Sequence, residues 1–151
     1  MDLTRSDRYI MLAEDDADER EFFQEALESL GVEFRLEIFR NGMELVTALN
    51  QCTALECYPD IVFLDLNMPI LNGWETLKEI RAEEQFKDVP IIAILTTSNS
   101  DNDKRAAFEK GADAFISKPT SFDSLKVLIA KALNTDWAGK VKNMDDFIIR
   151  P

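Results

Sequence analysis

Four separated stretches of the 151-residue chain place chemically capable side chains directly after short apolar runs. The acids Glu14 and Asp15 follow one run and Asp65 follows another, while a third run ends at Thr96 and a fourth leads into Lys118. A single acid after a strand is common, because loops are polar. Carboxylates, a hydroxyl and an ammonium after four core strands are not expected by chance, so we treat these residues as one candidate site.

The residue types of this candidate site suit a hard cation and a phosphoryl group. Clustered carboxylates repel one another and take up protons unless a cation compensates. Oxygen ligands without histidine or cysteine favour Mg²⁺, which uses one or two carboxylates together with a phosphoryl oxygen. Asp65 beside Mg²⁺ and Lys118 is a plausible nucleophile for phosphoryl transfer. The metal and Lys118 would neutralise charge on the phosphoryl oxygens, and the Thr96 hydroxyl could bind one of them.

Composition narrows the function classes. The formal charge is 17 − 29 = −12, and an acidic surface argues against binding to nucleic acid or to anionic membranes. The chain has no histidine, which excludes a Ser-His-Asp triad and a histidine-ligated zinc site within it. No segment approaches the roughly 20 apolar residues that span a bilayer. The two cysteines, Cys52 and Cys57, favour free thiols in a reducing cytosol, so we expect a cytoplasmic protein.

Five apolar runs that alternate with amphipathic segments must position these side chains. The runs are residues 9–13, 34–39, 61–64, 91–95 and 112–116. The last amphipathic segment shows helical spacing most clearly, in Leu125, Leu128, Ile129, Ala132 and Leu133. Strands alternating with helices predict an α/β fold, a doubly wound parallel sheet with helices on both faces. In such sheets, sites form beyond the carboxyl ends of the strands.

The motifs now resemble a known family, the receiver domains of two-component response regulators. They are Met11-Leu12-Ala13-Glu14-Asp15-Asp16, Asp65-Leu66-Asn67-Met68-Pro69 with Gly73 eight residues after the Asp, Leu95-Thr96-Thr97-Ser98, Gly111-Ala112-Asp113 and Ser117-Lys118-Pro119. The match runs from about Tyr9 to Leu133. The Leu-Thr-Thr-Ser run and the long stretch before Pro59 are similar to the single-domain subgroup that includes phytochrome-associated regulators.

The resemblance implies a (βα)5 flavodoxin-like fold with strand order 2-1-3-4-5 and a receiver domain over residues 1–133. It implies that Asp65 is the phosphoacceptor, served by a histidine kinase or phosphotransfer protein. Glu14, Asp15, Asp65 and the backbone carbonyl of Asn67 would form the Mg²⁺ site, with Asp15 in direct contact. The protein would be a signalling switch or phosphorelay intermediate, whose only reactions are its own phosphorylation and dephosphorylation.

The same resemblance implies how the switch works. Thr96 would move toward the phosphoryl group, and Lys118 would pair with that group. The Phe115 ring would rotate inward and remodel the face made by the fourth helix, fifth strand and fifth helix, through which receivers often dimerise. The resemblance also implies a cis Lys118–Pro119 bond, and Asn67 and Ser98 would flank the water that hydrolyses the phosphoryl group.

Three residues depart from the usual family pattern. Glu14 replaces the commoner Asp, and its longer side chain should still serve the metal through water. Thr96 lies six residues after Pro90, one more than usual. Counting forward from Pro90 selects Leu95, which has no hydroxyl, whereas counting back from Lys118 selects Thr96; Thr97 is the weaker alternative. Phe115 lacks the hydroxyl of the commoner Tyr, so any switch there rests on ring packing.

Two other functions and an open question about the tail remain. A phosphatase of the haloacid dehalogenase type would need a second Asp where Asn67 stands, and a degenerate interaction module would not need the complete set of site residues.

Residues 134–151 lie outside the resemblance and are too few for an output domain. Their apolar residues either pack back on the domain or join a partner subunit, with disorder as the alternative; these are Trp137, Phe147, Ile148 and Ile149.

Overall fold

Five parallel strands form one sheet in the order β2-β1-β3-β4-β5. The computed structural model describes residues 8–52, 58–139 and 143–151. The strands are β1 Arg8–Ala13, β2 Phe34–Phe39, β3 Ile61–Leu64, β4 Ile91–Thr96 and β5 Ala114–Ser117. The predicted α/β fold and strand order are confirmed.

Five helices lie on the two faces of the sheet, and each begins at a side-chain cap. They are α1 Ala17–Glu28, α2 Gly42–Asn50, α3 Gly73–Ala82, α4 Asp101–Glu109 and α5 Phe122–Asn134. Each cap accepts a hydrogen bond from the backbone N–H three residues on; the caps are Asp16, Asn41, Asn72, Ser100 and Ser121. Because Asp16 caps α1, Glu14 and Asp15 remain available for the site. None of the helices in the described ranges is long and apolar enough to cross a membrane.

The continuous apolar runs arise because the central strands are buried on both faces. In β3, Val62 and Leu64 face the cluster formed with α2, α3 and α4, whereas Ile61 and Phe63 face the cluster formed with α1 and α5. Successive residues of a strand point to opposite faces, so both faces need apolar side chains. In β3 and β4 this packing leaves polar side chains only at the strand ends.

The start of β5 and the peptide bond before Pro119 differ from the predictions, and two further local features were not predicted. Strand β5 begins at Ala114 rather than at residue 112, because the carboxylate of Asp113 accepts hydrogen bonds from the Ile92 backbone (2.9 Å) and from Arg81 (2.8 Å). A 3₁₀ turn over Glu84–Phe86 buries the ring of Phe86. Among the described residues the cis peptide bond is Val89–Pro90, so the expected cis Lys118–Pro119 bond was wrong.

The described end of the tail, residues 143–151, packs back on the domain, which is one of the alternatives that the sequence left open. A short helix, α6 Met144–Phe147, buries Phe147 in the core cluster beside α4 and β5. After α6, Ile148 forms an isolated parallel bridge with Phe115 at the outer edge of β5. The tail therefore covers an edge strand of the sheet.

A glycine allows α3 to start directly against the loop that carries Asp65. The Gly73 N–H donates to the Leu66 carbonyl over 3.0 Å. A Cβ at Gly73 would lie 2.4 Å from the Asp65 carbonyl oxygen and 2.6 Å from the Leu66 Cα. Backbone atoms cannot move aside as a flexible side chain can, so only glycine fits here.

We therefore expect Gly73→Ala to destabilise the protein by about 1–3 kcal/mol, the usual effect of overpacking. Urea unfolding of the two proteins measures the difference. Gly139→Ala is the control, because its Cβ would approach only the flexible carboxylate of Asp136, at 3.0 Å. Equal losses in the two variants would contradict the argument.

Candidate functional site

Three carboxylates meet where β1 and β3 end. Ala13 and Leu64 are paired in the parallel register, so Glu14 and Asp65 follow as neighbours at the strand ends. One carboxylate oxygen from each of Glu14, Asp15 and Asp65 lies within 4.8 Å of the others. Glu14 is only 2% exposed and Asp65 only 4%, whereas Asp15 is exposed to solvent. The edge of the sheet thus holds two buried acids and one accessible acid.

Lys118 places an ammonium group among these carboxylates. Its Nζ lies 2.5 Å from Glu14 Oε1, 3.6 Å from Asp65 Oδ1 and 3.6 Å from Glu19 Oε2. The Lys118 backbone N–H donates to the Thr96 carbonyl over 2.6 Å, which ties the end of β5 to the end of β4. The sequence predicted that these four side chains lie together, and the structure confirms it: they are Glu14, Asp15, Asp65 and Lys118.

The charges at this edge do not balance. Burial raises the pKa of Glu14 from its usual 4.5 to about 7, and the charge of Asp65 adds to this, although the hydrogen bond from Lys118 opposes it. Burial acts to lower the pKa of Lys118, but the hydrogen bond and charge of Glu14 and the charges of Asp65 and Glu19 outweigh it, so the pKa rises. One ammonium group shared by several carboxylates leaves an excess of negative charge that a cation would compensate.

Arg20 also supports the site, and this role was not predicted from the sequence. Its Nη1 donates to the backbone carbonyls of Glu14 (3.1 Å) and Asp15 (2.8 Å). The Asp16 N–H in turn donates to Glu14 Oε2 over 3.3 Å. These bonds fix the direction of the acid pair. The available signal was an arginine in α1, one turn beyond the acids.

Thr96 is completely buried at the end of β4, whereas Thr97 is exposed. The Thr96 hydroxyl oxygen accepts a hydrogen bond from the Ser98 N–H over 3.2 Å. The Ser98 hydroxyl donates to the carboxylate of Asp103, in the first turn of α4, over 2.6 Å. A chain of hydrogen bonds therefore leads from Thr96 to α4, which the sequence did not indicate.

The remaining candidates lie outside the carboxylate cluster. Asn67 is exposed in the loop that follows Asp65. Phe115 is fully buried within β5, and its ring already lies in the interior. The structure thus gives positions for both residues, and their roles stay predictions.

The sequence matches the family model for the response regulator receiver domain over residues 10–130. The probable methanogenesis regulatory protein FilR2 of Methanothrix harundinacea is 33% identical over 134 residues, which cover 86% of this chain and 83% of that protein.

Two solved structures are similar in both fold and sequence. The Mn²⁺-bound form of response regulator Rcp1 has a TM-score of 0.71 and 27% identity, covering 89% of this chain and 97% of that one. The phosphorylated cyanobacterial phytochrome response regulator RcpA has a TM-score of 0.72 and 28% identity, covering 89% and 96%. The predicted similarity to phytochrome-associated regulators is confirmed.

The pKa of Glu14 predicts a pH dependence of stability in metal-free buffer. Because the folded protein holds the Glu14 proton more tightly than the unfolded chain, this residue favours folding at low pH. That contribution is lost as the pH rises from about 4.5 to about 7. We expect the stability of Glu14→Gln relative to wild type to increase by about 2 kcal/mol between about pH 5 and pH 8.

Urea unfolding in the presence of a chelator at each pH measures this difference. Glu28→Gln, at an exposed position near the end of α1, controls for the loss of one carboxylate. A Glu14→Gln difference that stays constant with pH, or falls as the pH rises, would show that Glu14 ionises freely in the fold.

Proposed function

The chain belongs to the response regulator receiver domain family, and we propose that it is a single-domain phosphorylation switch whose phosphoacceptor is Asp65. Receiver domains take phosphoryl groups from histidine kinases or phosphotransfer proteins. In this proposal residues 1–133 form the receiver domain and residues 134–151 an extension. The protein works in the cytoplasm, together with a kinase and a downstream protein.

The position of Asp65 is the observation that carries this proposal. It is a carboxylate 4% exposed, at the end of a buried strand, with an ammonium group 3.6 Å from one of its oxygens. An Asp65 oxygen would attack the phosphorus atom of a phosphohistidine. The O–P bond forms as the P–N bond breaks, and the imidazole nitrogen leaves with the electron pair. The positive charge of Lys118 would stabilise the negative charge on the transferring group.

The residues at the sheet edge fit a hard divalent cation. All the side-chain donors in the cluster are carboxylate oxygens, within 4.8 Å of one another. Mg²⁺ would be held by Asp15, Asp65 and the Asn67 carbonyl, with Glu14 acting through water because it is engaged by Lys118. A bound Mg²⁺ supplies charge neutralisation on the phosphoryl oxygens. The solved structure of Rcp1 in its Mn²⁺-bound form supports the binding of a divalent cation.

The residues around the phosphoacceptor would then set the signal and its lifetime. The buried Thr96 hydroxyl would turn toward a phosphoryl oxygen, and the Phe115 region would respond through the connection between β4 and β5. Asn67 and Ser98 lie two residues beyond Asp65 and Thr96, where they would flank the attacking water. The chain acts on no substrate other than itself in this account.

Incubation with acetyl phosphate and Mg²⁺ should add one phosphoryl group to the wild-type protein, read as intact mass. Asp65→Asn should gain none, because its amide is not a nucleophile for phosphoryl transfer. Omission of Mg²⁺ should also abolish the adduct. Asp60→Asn, which alters an acid before the same strand, is the matched control and should still be labelled.

An adduct of equal yield on Asp65→Asn would refute the assignment. Since rapid hydrolysis can hide the adduct, beryllofluoride, a stable phosphoryl mimic, is the second probe. Failure of both acetyl phosphate and beryllofluoride to modify the wild type would favour the degenerate interaction module.

Asp15→Asn should weaken Mg²⁺ binding by at least about tenfold, because it removes the accessible carboxylate of the cluster, and changing even a residue that only supports a metal ligand costs about that much. Isothermal titration calorimetry with Mg²⁺ measures the affinity. Asp18→Asn is the control, an exposed acid in the first turn of α1. Equal affinities for the two variants would exclude Asp15 as a metal ligand.

A further inference from the structure

The tail residues 143–151 cover the face formed by α4, β5 and α5. The Ile149 N–H donates to the Phe115 carbonyl over 3.0 Å, and Lys131 Nζ on α5 donates to the Arg150 carbonyl over 2.6 Å. Phe147 is only 2% exposed. The tail thus contacts three neighbouring elements and satisfies part of the outer edge of β5, which is otherwise available to another chain.

One side chain anchors the tail between two elements. The ring of Phe147 packs edge-on against Phe108 of α4, with the ring centroids 5.2 Å apart. It also lies against Phe115 of β5, at a centroid distance of 6.4 Å. Because Phe115 is fully buried beside Phe147, a change of the Phe115 rotamer would require Phe147 to move.

Apart from Phe147, the residues of this segment are half-buried or exposed. Helix α6 has four residues, too few to be stable without tertiary contacts. Residues 143–146 are all exposed. A segment with one fully buried side chain, two half-buried isoleucines (Ile148 and Ile149) and few backbone bonds to the sheet opens at a low free-energy cost compared with the core.

Both elements that clamp Phe147 are connected to the phosphoacceptor site. The Thr96 hydroxyl accepts from the Ser98 N–H, and Ser98 donates to Asp103 at the start of α4. The Thr96 carbonyl accepts from the Lys118 N–H, three residues after Phe115 in the chain. A Thr96 hydroxyl that turned toward a phosphoryl group would alter its bond with Ser98 and so disturb the start of α4, which carries Phe108.

We propose that residues 143–151 are a built-in cover for the α4–β5–α5 face, docked while Asp65 is unmodified and released when Asp65 carries a phosphoryl group. This inference rests on the proposed function. Release exposes the rings of Phe108 and Phe115 and the edge of β5. That surface suits an extended apolar segment of a partner protein, added to the sheet as the tail is.

Hydrogen–deuterium exchange of the 151-residue protein tests the release, with Mg²⁺ present throughout and with or without beryllofluoride. The diagnostic amides are Phe147, which donates to the Asn143 carbonyl, and Ile149. We expect their exchange to become about tenfold faster or more with beryllofluoride, and to stay unchanged in Asp65→Asn. Light scattering on the same samples shows whether the protein associates, since association would also change the exchange rates of the tail amides.

Binding of beryllofluoride is followed on the same samples by fluorine NMR, so that two failures can be told apart. Bound beryllofluoride with unchanged tail exchange would overturn this inference and leave the proposed function standing. No bound beryllofluoride would overturn both.

Phe147→Ala provides an independent test through thermodynamic linkage. If phosphoryl binding and tail docking oppose each other, loss of the anchor should tighten beryllofluoride binding by about threefold or more. Met144→Ala, at an exposed position of the same helix, should bind as the wild type does. A tail with a purely structural role would leave the affinity of Phe147→Ala unchanged, which would overturn the proposal.

Discussion

The ammonium group of Lys118 is the interaction on which the site depends. Glu14 and Asp65 are buried side by side because the register of β1 and β3 places them there, and two carboxylates so close repel each other. Lys118 reaches both from the end of β5 and satisfies Glu14 directly. One positive charge does not balance the cluster. The remaining negative charge is what suits the site to a divalent cation and, with the cation present, to a phosphoryl group.

Contacts in the surrounding fold hold the residues of this cluster in position. Gly73 lets α3 start against the backbone of Asp65, and Arg20 holds the backbone carbonyls of the acid pair. Farther away, Arg81 joins α3 to the Asp113 carboxylate just before β5, so that the strand carrying Lys118 is placed relative to β4. Such backbone and side-chain support around a site keeps its charged groups in fixed positions.

The order of elements and the main site residues were predictable, because hydrophobic periodicity and the polar residues after each strand are local patterns. Glu14, Asp15, Asp65 and Lys118 follow from those patterns and lie together as expected. Contacts made by residues that do not follow a strand were not predictable from these patterns. The Arg81–Asp113 pair, which delays the start of β5, has no local signal, and Phe147 gives none of the helix or strand spacing that identified the core. The prediction of a cis peptide bond before Pro119 was wrong, because it was inferred from the family rather than from these residues.

The central claim is that the carboxylate at position 65 becomes an acyl phosphate. Borohydride reduction after treatment with a phosphodonor tests this directly, because it converts an aspartyl phosphate to homoserine, which marks the residue in a peptide mass spectrum. The account predicts homoserine at position 65 in samples that contained Mg²⁺, and none in samples treated with a chelator. Homoserine at position 15, or equal marking of several acids, would contradict it.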